Sequence, residues 1–107
     1  MKKGHIKVSV LYPSGAGKKF NMDYYCNTHV PIVQGLLGNS IVGATIENGL
    51  GGGAPGSTPP FVAMGNLYFK NMESFQNSFG PNAEAIMADL PNFTNIEPLV
   101  QISEVMI

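Results

Sequence analysis

Apolar and polar residues alternate over residues 5–12, with Ile6, Val8, Val10 and Tyr12 on one face, which predicts a strand. Leu11 on the opposite face hints that this side is covered as well. The run Pro-Ser-Gly-Ala-Gly at 13–17 then breaks the strand. A helix is predicted to begin after Asn21, a capping residue, with Asp23 suited to its positive end. Tyr25, His29, Ile32, Val33 and Leu36 recur at steps of three and four and form one stripe. Pro31 removes a backbone donor inside this run, which predicts a kink or two short helices meeting there. Gly38 closes the helix.

A second strand is expected over 40–47, with Val42, Ala44 and Ile46 on one side. Residues 49–60 are mostly Gly and Pro and read as a flexible hairpin loop, a possible lid. The third strand, 61–69, is apolar on both faces: Phe61, Ala63, Leu67 and Phe69 against Val62, Met64 and Tyr68. Such a strand is covered on both sides. A helix follows over 71–89, expected to be interrupted at Gly80 and Pro81, with Phe75, Phe79, Ile86, Met87 and Leu90 as burial candidates. A last alternating strand is expected over 98–106, with Val100 and Ile102 opposite Leu99 and Val105.

The order βαββαβ predicts an α+β, ferredoxin-like domain spanning residues 1–107, a four-stranded antiparallel sheet with two helices on one face. Two helices cover one face only, and a second copy of the sheet is the simplest cover for the other, giving a homodimer. Composition supports this. Six basic and seven acidic residues make up 12% of the chain, about half of the usual quarter, leaving little charge to solvate a surface. The near-neutral balance, with Lys2, Lys3, Lys7, Lys18 and Lys19 interrupted by glycines and strand residues, argues against nucleic acid as a partner. No apolar run approaches the roughly 18 residues of a membrane span, and no signal-peptide block follows the start. A single cysteine excludes an internal disulfide. A cytoplasmic protein is expected.

Candidate chemistry concentrates in residues 20–31. His29 is one of two histidines, and Tyr25 and Cys26, four and three residues earlier, neighbour it on a helix surface. A histidine in an apolar setting exchanges protons, and a neighbouring phenol orients a substrate; the plainer alternative is a hydrogen-bonded core histidine. Cys26 lacks a visible base or oxyanion site and reads as a packing residue. Gly15-Ala16-Gly17-Lys18-Lys19 is no phosphate loop, because Tyr12 stands in place of the first glycine and Lys19 in place of Ser or Thr. No metal-ligand spacing exists, the six methionines read as gap fillers, and Asp89 with Asn92 as a turn or cap.

The run Leu11-Tyr12-Pro13, then Phe20, Asp23-Tyr24-Tyr25, His29 and Pro31, resembles the EthD family. So does Asp89-Leu90-Pro91-Asn92-Phe93-Thr94 before a final strand with Gln101 and Val105. The family takes its name from a protein associated with bacterial ethyl tert-butyl ether degradation. The resemblance implies a dimeric α/β barrel without a cofactor, with a ligand between helices and sheet. It implies His29 and Tyr25 as catalytic residues, and Tyr12, Tyr24, Ile32, Leu36 and Asn92 as substrate contacts. The expected ligand is a small hydrophobic metabolite, and the expected chemistry is cofactor-free oxidation or proton transfer such as dehydration or isomerisation. The alternatives are a non-catalytic binding or accessory protein for a partner oxygenase, and a haem protein with His29 as axial ligand.

Overall fold

A computed structural model describes residues 2–107. Strand β1 (Ile6–Pro13) leads through an irregular segment into α1 (Met22–Tyr24), a wide turn over Tyr25–His29 and α2 (Val30–Leu37). Strands β2 (Ile41–Asn48) and β3 (Phe61–Phe69), helix α3 (Met72–Ala88) and strand β4 (Leu99–Glu104) follow. All strand pairs are antiparallel, in the order β2-β3-β1-β4, which is the predicted ferredoxin-like arrangement.

Helix starts and stops follow their local chemistry. Asn21 accepts the Tyr24 backbone N–H at 3.0 Å and Asn71 accepts that of Ser74 at 2.8 Å, satisfying otherwise orphaned donors. Gly38 ends α2 at φ 56°, a conformation open to glycine at little cost. The predicted meeting of two helical segments falls one residue before Pro31, at the His29–Val30 junction. Lacking an N–H, Pro31 cannot bond the Asn27 carbonyl, and the distortion moves into the preceding turn, where the Val30 N–H reaches the Tyr25 carbonyl five residues back. Helix α3, in contrast, runs unbroken through Gly80 and Pro81. Phe75, Phe79 and Ile86 packed against the sheet side hold it on both flanks of the proline.

One core cluster joins Ile6, Val8 and Phe69 of the sheet to Val33 and Leu37 of α2 and Phe79 and Ile86 of α3. A second joins Tyr12 and Ala63 to Tyr25, Phe93 and Ile96. Both helical elements therefore lie on one face of the sheet. Val42 falls at a register shift in β2, leaving it exposed instead of in line with Ala44 and Ile46. On β4, Val100 and Ile102 pair with Val10 and Val8 and so share the helix-covered face, yet they remain 45% and 47% exposed because the helices stop short of this edge. The outer face carries Leu11, Met64, Tyr68 and Leu99 around a polar cluster. In that cluster Ser9 Oγ donates to Asn66 Oδ1 at 3.0 Å, and Asn66 Nδ2 donates to Thr45 Oγ1 and Glu47 Oε1 at 3.1 Å each.

Residues 49–60 form no helix or strand, as predicted, but the loop is tied down. The Gly49 N–H bonds the Val62 carbonyl, Gly52 bonds Ser57, and the Ser14 hydroxyl donates to the carbonyls of Pro59 and Pro60.

Candidate functional site

The wide turn at Tyr25–His29 sets which side chains face the sheet. A regular helix would carry the inward stripe from His29 to Ile32 and Leu36. After the wide turn it runs in steps of four, through Tyr25, His29, Val33 and Leu37, all buried. Ile32 and Leu36 are rotated outward, each 40% exposed.

Between this stripe, α3 and the sheet lies a narrow cavity of about 40 Å³. Its wall is mainly apolar, from residues such as Val10, Val33, Ile46, Leu67 and Met87, and Tyr12, Tyr25 and His29 stand in it together. One water needs about 10–15 Å³ on this measure, so the space holds a few waters, and an organic ligand of any size requires the walls to part. None of residues 49–60 lines it, so the loop is not positioned as its lid.

His29 is 4% exposed. Its ring stacks on Tyr25, with centroids 5.4 Å apart and planes 15° apart, and meets Phe93 at 4.7 Å. Its Nδ1 lies 2.8 Å from Asp89 Oδ2. Asp89 in turn accepts the Tyr24 hydroxyl at 2.9 Å and Asn92 Nδ2 at 2.8 Å, both on Oδ1. Partial burial works against ionisation of Asp89, but the hydrogen bonds from Asn92, His29 and Tyr24 outweigh it and hold the carboxyl below the usual carboxylate range.

Tyr25 reaches the sheet because position 65 is glycine: a methyl group there would overlap its hydroxyl. Burial pushes the Tyr25 phenol up to about 12, and the neighbouring Tyr12 hydroxyl pulls in the other direction. Tyr12 is raised further, by burial first and then by Tyr25. Both therefore stay neutral hydrogen-bond donors at physiological pH.

The segment after α3 is stitched onto the segment before α1, and this brings Asp89 to His29. Phe20 bridges to Thr94, the Asn21 N–H bonds the Phe93 carbonyl at 2.8 Å, and Thr94 Oγ1 donates to the Lys19 carbonyl at 2.6 Å. The structure thus gathers Tyr12, Tyr25 and His29 at the cavity, and places Tyr24 and Asn92 outside its wall, as partners of Asp89. Ile32 and Leu36 also stand outside it. Asp89, read from the sequence as a turn or cap residue, is the one that reasoning from spacing missed. The signal available was its place in the Asp-Leu-Pro-Asn-Phe-Thr run. Cys26 is exposed, and among the described residues no group of three or more His, Cys, Asp or Glu side chains is arranged to hold a metal. No helix of the described residues is long and apolar enough to cross a membrane.

The EthD domain family model matches residues 15–97. The chain is similar to an EthD-like protein from Ralstonia eutropha JMP134, at 40% identity over 99% of this chain and 96% of that one, with a TM-score of 0.90. It shares its fold with an EthD family protein from Bacillus halodurans C-125, at 18% identity over 95% of this chain and 99% of that one, with a TM-score of 0.66. Among curated proteins, none matches the chain.

Proposed function

The chain belongs to the EthD family, and from that membership we propose that it binds a small hydrophobic organic metabolite beside His29 and acts on it by proton transfer. The observation that carries this is the placement of His29. It is buried in the wall of an apolar cavity, with one ring nitrogen on a carboxylate and the other left for a ligand. Tyr25, neutral and stacked on the imidazole, supplies a hydrogen bond to a substrate oxygen, and Tyr12 backs it. Dehydration and isomerisation need no more than these groups, and we place them ahead of cofactor-free oxidation. A haem on His29 fits poorly, because a macrocycle would have to separate α2 from the sheet to occupy a cavity of about 40 Å³. The functional unit is a cytoplasmic dimer in this proposal, with the second copy on the outer face of the sheet.

The test is a panel of small apolar carbonyl and hydroxyl compounds, scored for binding by thermal shift and for product by mass spectrometry. A compound that is converted by the wild type and bound but not converted by His29→Ala is the expected result. Full turnover by His29→Ala would remove the proton-transfer role. Tight binding without product across the panel would favour the alternative of a carrier or accessory protein for a partner oxygenase.

A further inference from the structure

The hydrogen bonds of Asp89 bear on which nitrogen of a neutral His29 ring carries the proton. The two Asp89 oxygens receive three donors: the Tyr24 hydroxyl and Asn92 Nδ2 on Oδ1, and the imidazole on Oδ2. A carboxylate in this position is an acceptor on every side, so the imidazole atom facing it must be an N–H. A neutral imidazole has one N–H, and with that proton on Nδ1 the Nε2 lone pair is left free. Tyr24 and Asn92 matter here because they leave Asp89 Oδ2 in one orientation, directed at the ring, in the manner of partners that fix a histidine tautomer elsewhere.

Resting on the proposed proton-transfer site, we infer that Asp89, held by Tyr24 and Asn92, fixes His29 as a proton acceptor toward the cavity, and that its ligand is a neutral weak acid. In the step that follows, the X–H bond of the ligand breaks, and its electron pair stays on X. The proton joins the Nε2 lone pair, and Nδ1 keeps its own proton throughout. The imidazolium so formed lies 2.8 Å from Asp89, and the anion remains in an apolar space with neutral phenols in its wall. Carboxylate ligands are disfavoured: they bring no proton to Nε2 and add a second negative charge near Asp89. Asp89 is a positioning residue in this scheme, since it acts through the imidazole.

Nitrogen-15 NMR of histidine-labelled protein tests this directly, with His29→Gln identifying the signals of the two histidines. In the wild type the neutral His29 ring should show a protonated Nδ1 and an unprotonated Nε2. Asp89→Asn should lose that preference and Asp89→Glu should regain part of it. A protonated Nε2 on the neutral wild-type ring overturns the inference, whether or not the variants fold, and so does an unchanged tautomer in Asp89→Asn. Phenol and anisole then separate this from the wider proposal. If the hydrophobic site exists, both shift the methyl signals of Val33 and Ile46, and phenol alone should move Nε2. An equal Nε2 response to anisole counts against the weak-acid ligand. Failure of both to bind overturns the hydrophobic site and leaves the tautomer result standing.

Discussion

At the scale of single residues, His29 and Tyr25 were legible as candidates because local spacing puts them on one helix face, whereas Tyr12 entered only through the family resemblance. Asp89 was not legible from spacing. It meets His29 across 60 residues of chain, and nothing in a single sequence reports such a contact. Tyr24 and Asn92 carried a signal of importance, but their work is on Asp89. The lowered pKa of Asp89 gives a pH dependence with a definite sign. Its carboxyl binds a proton more weakly in the folded chain than in the unfolded one, so its stabilisation is complete above about pH 4 and fades as the pH falls through its lowered value. Thermal unfolding of wild type and Asp89→Asn across this range should show the wild type's lead greatest near neutrality and shrinking in acid. A gap independent of pH would mean that Asp89 stabilises nothing through its charge.

At the scale of elements, the strands follow from period-two alternation, which survives because each strand has one face on the core. The helices were harder, and both difficulties involve proline. Around Pro31 the turn before it widens, and the inward stripe keeps Val33, loses Ile32 and Leu36 and takes Leu37. Period-based reading assumes 3.6 residues per turn and loses phase there. Around Pro81 tertiary packing overrides the local preference. That override has a measurable cost. Proline in a helix interior is about 3 kcal/mol less favourable than alanine, partly offset by roughly 0.4–1 kcal/mol through the stiffer unfolded chain. Pro81 is solvent-exposed, and Pro81→Ala should raise the stability by about 2–2.6 kcal/mol in urea unfolding. A loss of stability would show that the pyrrolidine ring makes contacts worth more than the missing bond.

At the scale of the whole molecule, the sheet has one face without helices, and it carries Lys7 and Glu47 beside its apolar side chains. The helices cover one face of the sheet, and the other presents Leu11, Met64, Tyr68 and Leu99 around the Ser9–Asn66 cluster. β4 adds Leu99, Val100 and Ile102, exposed on both of its sides. Pairing through this surface is the expectation that the amino-acid pattern and the fold share. Sedimentation equilibrium at micromolar concentration should give about twice the chain mass of 11.4 kDa, and Leu99→Lys should shift it toward one chain. A single-chain mass for the wild type over a wide concentration range would end the dimer proposal. How the sheet is covered is beyond what one chain's pattern can specify, because alternation marks a face as apolar without saying what meets it.

The stitching of residues 19–21 to 93–94 bears on when the site comes into being during folding. β1 lies between β3 and β4, so its neighbours on both sides come from the second half of the chain. Contacts so distant in sequence form late, after the loops between them have closed. A chain emerging from the ribosome can shape the Tyr25–His29 turn early, but that histidine has no carboxylate beside it until residue 89 arrives and docks. Assembly of the imidazole–carboxylate pair is therefore a timer as well as a geometry: it completes only with the domain.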